Sequence, residues 1–173
     1  MAAKPRIVFW KPGGVVRGKQ VYLDANFLVG LSQPDHIWNA SARGLLASLL
    51  ERGTKLVLSS LALNEAIYQL TRLEQKNRTR LLEMGDIAES DSVESGWASN
   101  LNQVLESLAN PVFFEPPDLA FHQQVIRAVR ELNLDPTDAF HYSAARRLAC
   151  PILSNDVGFQ KIPDQNLVVV TFF

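Results

Sequence analysis

The stretch LDPTDAFHYSAARRLACPILSNDVGF, residues 134–159, decides the fold. Asp135 can cap a helix, Pro136 suits the first helical position, and Asp138 falls in the first turn. Small and apolar residues then recur near helical spacing, which predicts a helix packed closely on a sheet. A short apolar strand, residues 151–153, follows and ends in Ser-Asn-Asp. One carboxylate therefore opens a helix and another ends the next strand, and in a parallel sheet these two places share an edge.

Short apolar strands alternate with helical patterns along the rest of the chain. We predict strands over residues 21–23, 56–58, 112–114 and 167–173, and residues 6–10 are a further candidate whose place in a sheet the sequence leaves open. We predict helices over residues 39–52, 61–73, 97–108 and 119–129, and a surface loop over the acidic, Ser-rich residues 86–96. This alternation is typical of a single α/β domain, with a central, mostly parallel sheet flanked by helices on both faces.

The composition is that of an ordinary globular domain. Of 173 residues, 47% are hydrophobic and 20% charged, which excludes a disordered chain. No apolar run is long enough to span a bilayer, so we expect no membrane association, and the first residues lack the pattern of a secretion signal. The single cysteine, Cys150, excludes an internal disulfide, and its place beside an apolar strand favours a buried packing role. We therefore expect a cytoplasmic protein.

Charge is distributed unevenly although the net charge is only −1. Five basic residues and no acid precede Asp24: Lys4, Arg6, Lys11, Arg17 and Lys19. We accordingly divide the chain into a basic N-terminal extension, residues 1–20, and a folded domain, residues 21–173. The extension either contacts nucleic acid or an acidic partner, or is a solvated hairpin.

Four carboxylates stand out by their position beside predicted strands. Asp24 follows the first strand of the domain, and Asp156 follows the strand at 151–153. Glu65 lies in the helix after the second strand, and Asp138 opens the last helix. Buried together they would repel one another, and a divalent cation relieves that repulsion. Hard oxygen ligands suit Mg²⁺ or Mn²⁺.

Each acid also has an ordinary structural explanation. Asp138 could belong to a capping arrangement with Asp135, Asp156 could be a turn residue, and Glu65 could be an exposed helix acid. Asp24 is harder to explain in this way, because no cap or ion-pair partner stands next to it. His141 lies one turn from Asp138 and could line the site, although we expect a packed surface histidine.

Four stretches resemble the PIN-domain family, and within it the VapC-type ribonucleases of toxin–antitoxin systems. They are VYLDANFL (21–28), SSLALNEA (59–66), PTDAFHYSAA (136–145) and ILSNDVGF (152–159). The resemblance implies that Asp24, Glu65, Asp138 and Asp156 form a catalytic, metal-binding quartet, and that Asn26 and Ser154 support it. The chain departs from the family in Ala25, where Thr or Ser is common, and in Gly158, where a second acid often stands. Its extension is also longer than a minimal PIN domain needs.

The resemblance further implies a metal-dependent endoribonuclease that cuts single-stranded or structured RNA. If the protein is a toxin, we expect an antitoxin whose segment covers the acidic edge, and a homodimer. RNA would be held by basic residues near that edge, although a solvated face is the more ordinary explanation of each cluster. The candidates form two clusters: Arg72, Lys76, Arg78 and Arg80 in the first, and Arg146 and Arg147 in the second.

Other functions are compatible with parts of the pattern. A catalytically silent PIN-like module that binds RNA or protein is the main alternative, and metal affinity without RNA cleavage would favour it. A haloacid-dehalogenase-like phosphatase would need an Asp at position 26, where this chain has Asn. We find no pattern for a response-regulator receiver, which needs a phosphoacceptor Asp and a late Lys.

Overall fold

The computed structural model describes residues 4–86, 96–116 and 118–173. Six strands lie in this part of the chain: β1 (Arg6–Phe9), β2 (Gln20–Leu23), β3 (Lys55–Ser59), β4 (Val112–Phe114), β5 (Ile152–Leu153) and β6 (Val168–Thr171). Six α-helices lie in it as well: α1 (Ala25–Ser32), α2 (Asn39–Glu51), α3 (Ser60–Met84), α4 (Gly96–Ser107), α5 (Leu119–Leu132) and α6 (Pro136–Arg147). A short 3-10 helix covers Phe159–Lys161. The loop predicted at 86–96 falls mainly on residues 87–95, outside the described residues.

All six strands form one parallel sheet in the order β1-β6-β5-β2-β3-β4. The predicted α/β fold with a parallel sheet between two layers of helices is therefore confirmed. β2 and β5 are neighbours near the middle of the sheet, with Tyr22 beside Ile152 and Leu23 beside Leu153. The loops that leave these two strands consequently emerge side by side.

Alternating side chains of each strand enter two separate hydrophobic cores. Val21 and Leu23 pack with residues of α1 to α4, whereas Tyr22 points to the opposite face and packs with residues of α5 and α6. Phe27 of α1 is fully buried in the first core, and Phe121 of α5 in the second. Burial of each of these rings contributes roughly 1.5–3 kcal/mol to folding.

The N-terminal extension supplies β1, which lies at one edge of the sheet. Its register pairs Arg6 with Val168 and Phe9 with Thr171. Trp10 follows and is buried against α2, where a Cβ on Gly44 would lie only 3.0 Å from the indole ring. The five basic residues of the extension are all exposed, and none of them forms an ion pair with any residue that the structure describes.

Three predicted elements differ from the structure. α3 does not end near Leu73 but runs to Met84, because the polar residues 72–80 are good helix formers that remain on the surface. β4 forms as predicted, but its apolar residues Val112 and Phe113 are 49% and 54% exposed, since β4 lies at the second edge of the sheet. The last strand is shorter than predicted.

The predicted helix starts and the packing of the cysteine are confirmed. Ser59, Asp118 and Asp135 each accept a hydrogen bond from a backbone N–H of the helix that follows them. Cys150 is buried, and burial raises the pKa of its thiol to about 12. Among the described residues, no helix combines the length and the apolar character that a bilayer crossing requires.

Candidate active site

The four predicted carboxylates meet at the carboxyl edge of the sheet. Asp24 stands between β2 and α1, and Asp156 lies in the loop after β5. Glu65 lies in the second turn of α3, which follows β3, and Asp138 lies in the first turn of α6. Because β5, β2 and β3 are adjacent and parallel, the elements that follow them start at one edge. The helix α6 leads into β5 and therefore starts at the same edge, as the spacing of the acids predicts.

Asp24 is the most deeply placed of these acids, with only 5% of its surface exposed. Its Oδ1 accepts a hydrogen bond from the Ala25 N–H at 2.7 Å, and its Oδ2 accepts one from the Ser154 hydroxyl at 2.6 Å. Burial raises the pKa of this carboxyl, and the nearby Glu65 raises it further, whereas His141 and Ser154 act in the opposite direction. Asp24 is thus a buried carboxyl held in one orientation by two donors.

Ser154 connects the two central strands beyond their last backbone pair. Its hydroxyl donates to Asp24 and accepts hydrogen bonds from Asn26 Nδ2 at 3.1 Å and from the Asp156 N–H at 3.0 Å. Asn26 Oδ1 in turn accepts the Asn155 N–H at 3.3 Å. Both residues expected to support the site are therefore in contact with it, and Ser154 links Asp24 to the backbone of Asp156.

His141 is part of the site, so the expectation of a surface histidine was wrong. Only 1% of its surface is exposed, because α6 turns this residue inward, onto the sheet. Its Nε2 lies 3.2 Å from Glu65 Oε2 and 3.8 Å from Asp24 Oδ1. The spacing of three residues from Asp138 is the sequence signal for this position, since it places both side chains on one helix face.

A buried chain of hydrogen bonds fixes the imidazole. Tyr22 Oη lies 2.8 Å from His141 Nδ1 and 2.7 Å from Ser59 Oγ, and Ser59 Oγ also accepts the Ala62 N–H. In one arrangement, every polar side-chain hydrogen of this hydrogen-bond network has an acceptor. Ser59 then donates to Tyr22, Tyr22 donates to Nδ1 of His141, and the Nε2–H of His141 donates to Glu65. Burial raises the pKa of Tyr22, which keeps its hydroxyl protonated as this arrangement requires.

Asp138 and Asp156 form a more open pair around Gly158. A Cβ on Gly158 would lie 3.0 Å from Asp156 Oδ1 and 3.6 Å from Asp138 Oδ2. The helix cap is supplied by Asp135, whose Oδ1 accepts the Thr137 N–H at 2.9 Å, so Asp138 is not needed for capping. Burial first, and then the charges of Asp156, Asp24 and Asp135, raise the pKa of Asp138 to about 6.

This set of donors fits a divalent cation. One ligand atom from each of Asp24, Glu65 and His141 can be chosen so that all three lie within 4.8 Å of one another. Burial first, and neighbouring carboxylates second, raise the pKa of Asp24 and of Asp138, so the ionised form of each is unfavourable without a cation nearby. Since Nε2–H is best placed to donate to Glu65, the donors left for a metal are carboxylate oxygens, which Mg²⁺ and Mn²⁺ accept.

The first basic cluster follows Glu65 along α3. Arg72 and Lys76 stand seven and eleven residues after Glu65, which places all three near one face of the helix. Arg72 lies over the ring of Tyr68, 5.7 Å from its centroid, and both basic residues line an open groove of about 560 Å³. Arg78 and Arg80 lie further along the same helix.

The second basic cluster lies at the far end of α6. Arg146 pairs with Asp164 at 2.8 Å, and Arg147 with Asp118 at 3.2 Å. Eight residues separate Asp138 from Arg146, or about 12 Å along the helix. These two guanidinium groups are therefore engaged with acids of their own and lie at the end of α6 opposite to the acidic edge.

Comparisons with known proteins concern the family and the fold. The family model for the PIN domain matches residues 21–165. The fold is similar to that of VapBC2 from Rickettsia felis bound to a DNA fragment from its promoter, with a TM-score of 0.60 and 17% identity over 89% of this chain and 99% of that chain.

Two further solved structures resemble the chain to a similar degree. FitAcB from Neisseria gonorrhoeae has a TM-score of 0.55 and 16% identity over 88% of this chain and 96% of that chain. VapC20 from Mycobacterium tuberculosis, a toxin that cleaves the sarcin–ricin loop, has a TM-score of 0.54 and 15% identity over 80% of this chain and 92% of that chain. At such identities the likeness concerns the fold. No curated protein matches the sequence.

Proposed function

Because the chain belongs to the PIN-domain family, a family of nucleases, we propose that it is a metal-dependent endoribonuclease and the toxin of a toxin–antitoxin pair. The observation that carries this proposal is the convergence of Asp24, Glu65, Asp138 and Asp156 on one edge of the sheet. The buried Asp24 and the raised pKa of Asp138 are difficult to explain in a site that serves only structure. The reaction is hydrolysis of a phosphodiester bond.

The four carboxylates would hold Mg²⁺ or Mn²⁺ and act with it as the catalytic group. When bound, a divalent cation supplies positive charge that activates water and stabilises the phosphate oxygens of the substrate. Ser154 keeps Asp24 in its orientation, and Asn26 keeps Ser154 in place. His141 holds Glu65 through Nε2, so its role is to position a ligand.

The substrate we propose is single-stranded or structured RNA. The face of α3 that carries Glu65 continues into Arg72 and Lys76, which would bind the phosphates of a strand that leaves the acidic edge. Arg78 and Arg80 would extend this contact. Arg146 and Arg147 would contribute less, because breaking their ion pairs with Asp164 and Asp118 opposes any contact with phosphate.

The partners we propose are an antitoxin and a second copy of the chain. Solved structures of similar fold are VapBC2 from Rickettsia felis and FitAB, each bound to a DNA fragment. By analogy, an antitoxin segment would cover the acidic edge, and the toxin would form a homodimer that acts in the cytoplasm. The division into an extension at residues 1–20 and a nuclease domain at residues 21–173 belongs to the same proposal.

Cleavage of a labelled pool of single-stranded RNA tests this function. Wild type and Asp24→Asn are purified identically and compared in Mn²⁺, in Mg²⁺ and in EDTA. We expect wild type to cut only with metal, and the variant to be slower by a factor on the order of 100 to 1,000, because a ligand oxygen is removed from the site. Cutting that survives the substitution would place the activity elsewhere. If calorimetry shows that the protein binds metal but no RNA is cut, a catalytically silent binding module would be favoured.

A further inference from the structure

Two exposed aromatic rings stand together at the carboxyl edge of the sheet. Phe9 at the end of β1 is 59% exposed, and Phe173, two residues beyond β6, is 60% exposed. Their ring centroids lie 6.0 Å apart, with an angle of 67° between the rings. We call Phe9 and Phe173 the aromatic platform. The folded core makes no use of these two ring surfaces.

The strand register places the aromatic platform beside the acidic site. Phe9 pairs with Thr171, and the Ser154 N–H donates to the Val170 carbonyl on the same strand, β6. Ser154, which holds Asp24, and Phe9 are thus separated by two strand spacings, or about 10 Å. This separation is short enough for one strand of nucleic acid to contact both places.

One exposed cation stands beside the aromatic platform. Lys11 follows Phe9 by two residues, and in the described part of the chain it pairs with no carboxylate. The other four cations of the extension lie towards the amino edge of the sheet, as the pairing of Arg6 with Val168 and the hydrogen bond from the Lys55 N–H to the Lys19 carbonyl indicate. An aromatic surface with an unpaired cation beside it, next to the proposed site of phosphodiester cleavage, suits a polyanion with flat rings better than an apolar peptide.

We propose that the aromatic platform stacks with an unpaired base of the RNA whose scissile phosphate lies in the acidic site. This inference rests on the proposed ribonuclease function and adds a substrate-binding subsite to it. The extension strand β1 then contributes directly to substrate binding.

Binding of short, labelled single-stranded RNA in EDTA tests the platform without metal-dependent cleavage. Fluorescence anisotropy compares wild type, the double variant F9L/F173L, and the matched control F113L, which removes an exposed ring from the opposite edge strand. Leucine keeps an apolar side chain and removes the ring. We expect Kd to rise about tenfold in the double variant, to stay unchanged in F113L, and to be restored in F9Y/F173Y.

A stacking signal separates this role from a general effect on folding. RNA that carries a fluorescent base analogue should be quenched by wild type and by F113L but not by F9L/F173L, with the same thermal unfolding for all three. Equal Kd and equal quenching in all variants would overturn the platform, as would a wild type that binds no RNA. A change in oligomeric state by light scattering, without a change in RNA affinity, would assign the surface to a protein contact instead.

The two proposals fail in distinguishable ways. RNA binding that depends on the aromatic platform, without cleavage in Mn²⁺ or Mg²⁺, would overturn the nuclease function and leave the platform standing. Metal-dependent cleavage with no effect of F9L/F173L on Kd would overturn the aromatic platform and leave the nuclease function standing.

Discussion

The two halves of the acidic cluster are built differently. The inner half consists of Asp24, Glu65 and His141, in which Asp24 and His141 are buried and their polar atoms are engaged by Ser154, Tyr22 and one another. The outer half, Asp138 and Asp156, is open, and Asp138 carries repulsion from three neighbouring carboxylates. The difference teaches that the side chains of the inner half are held in place by buried hydrogen bonds, whereas the outer half meets solvent and keeps like-charge repulsion until a cation binds.

The largest effect should come from removing His141, which belongs to the inner half. His141→Leu leaves the buried Tyr22 hydroxyl without its acceptor and removes the contact with Glu65 Oε2. We expect the free energy of unfolding to fall by about 2–3 kcal/mol in EDTA. Urea denaturation followed by circular dichroism measures this change.

Tyr22→Phe and the double variant provide the control for this prediction. Tyr22→Phe alone should cost about 1–2 kcal/mol, because His141 Nδ1 is then left without its partner. In the double variant the combined destabilisation should be smaller than the sum of the single effects by about 1 kcal/mol, since the shared hydrogen bond can be removed only once. Strict additivity would mean that the two side chains contribute independently.

Substitution of Asp138 in the outer half should raise the free energy of unfolding, whereas substitution of His141 lowers it. Its pKa is raised from 3.8 to about 6, so the folded state binds this proton more tightly than the unfolded chain does. The stabilisation that protonation provides is present below pH 4 and lost as the pH rises through 6, by the linkage relation. Above pH 6, Asp138→Asn should therefore stabilise the protein in EDTA by about 1 kcal/mol, after allowance for partial exposure of the carboxyl.

Adding Mn²⁺ should make wild type more stable than Asp138→Asn, the reverse of the order in EDTA. Wild type is relieved of its charge repulsion and gains stability when a cation binds, whereas Asp138→Asn gains less because it lacks one ligand. Unfolding free energies measured between pH 4 and 8, with and without Mn²⁺, provide both comparisons. If Asp138→Asn were less stable than wild type in EDTA at neutral pH, the ionised Asp138 would not destabilise the protein, and this explanation would be wrong.

The smallest effects should appear outside both halves, at the two basic clusters. R72Q/K76Q should weaken RNA binding a few-fold and lower the slope of log affinity against log salt by about 1.4, or roughly 0.7 for each phosphate that is no longer neutralised. R146Q/R147Q should leave that slope unchanged and cost less than about 1 kcal/mol of stability, because it removes two surface ion pairs. Equal slopes for both double variants would show that the face of α3 does not guide RNA.

Much of the fold could be predicted because the helix-capping residues and the spacing of apolar residues indicate the same elements. Asp118 and Asp135 open helices where capping chemistry places them, and the apolar runs at 56–58 and 152–153 lie within strands. The partner of β1 could not be predicted, since its register depends on β6, more than 150 residues away. The length of α3 was missed for another reason: an exposed, charged helix carries no apolar period to mark it.

The acidic edge could be predicted from topology, but its internal support could not. Asp24 and Asp156 each follow a strand, so a parallel sheet brings them together without further information. The chain from Ser59 through Tyr22 to His141 joins three elements, and no local pattern marks a tyrosine that points beneath a helix. The spacing of His141 from Asp138 indicated the shared helix face, whereas its burial depends on how α6 lies on the sheet.

The buried Cys150 makes the protein convenient to label. It is the one cysteine in the sequence, and its raised pKa and enclosed position keep it in the unreactive thiol form at neutral pH. A maleimide dye should therefore ignore the native residue and attach only to a cysteine introduced at an exposed position. A Lys76→Cys variant would place such a dye on the outer part of α3, where its emission could report the arrival of a nucleic-acid strand or a protein partner without any change to the core.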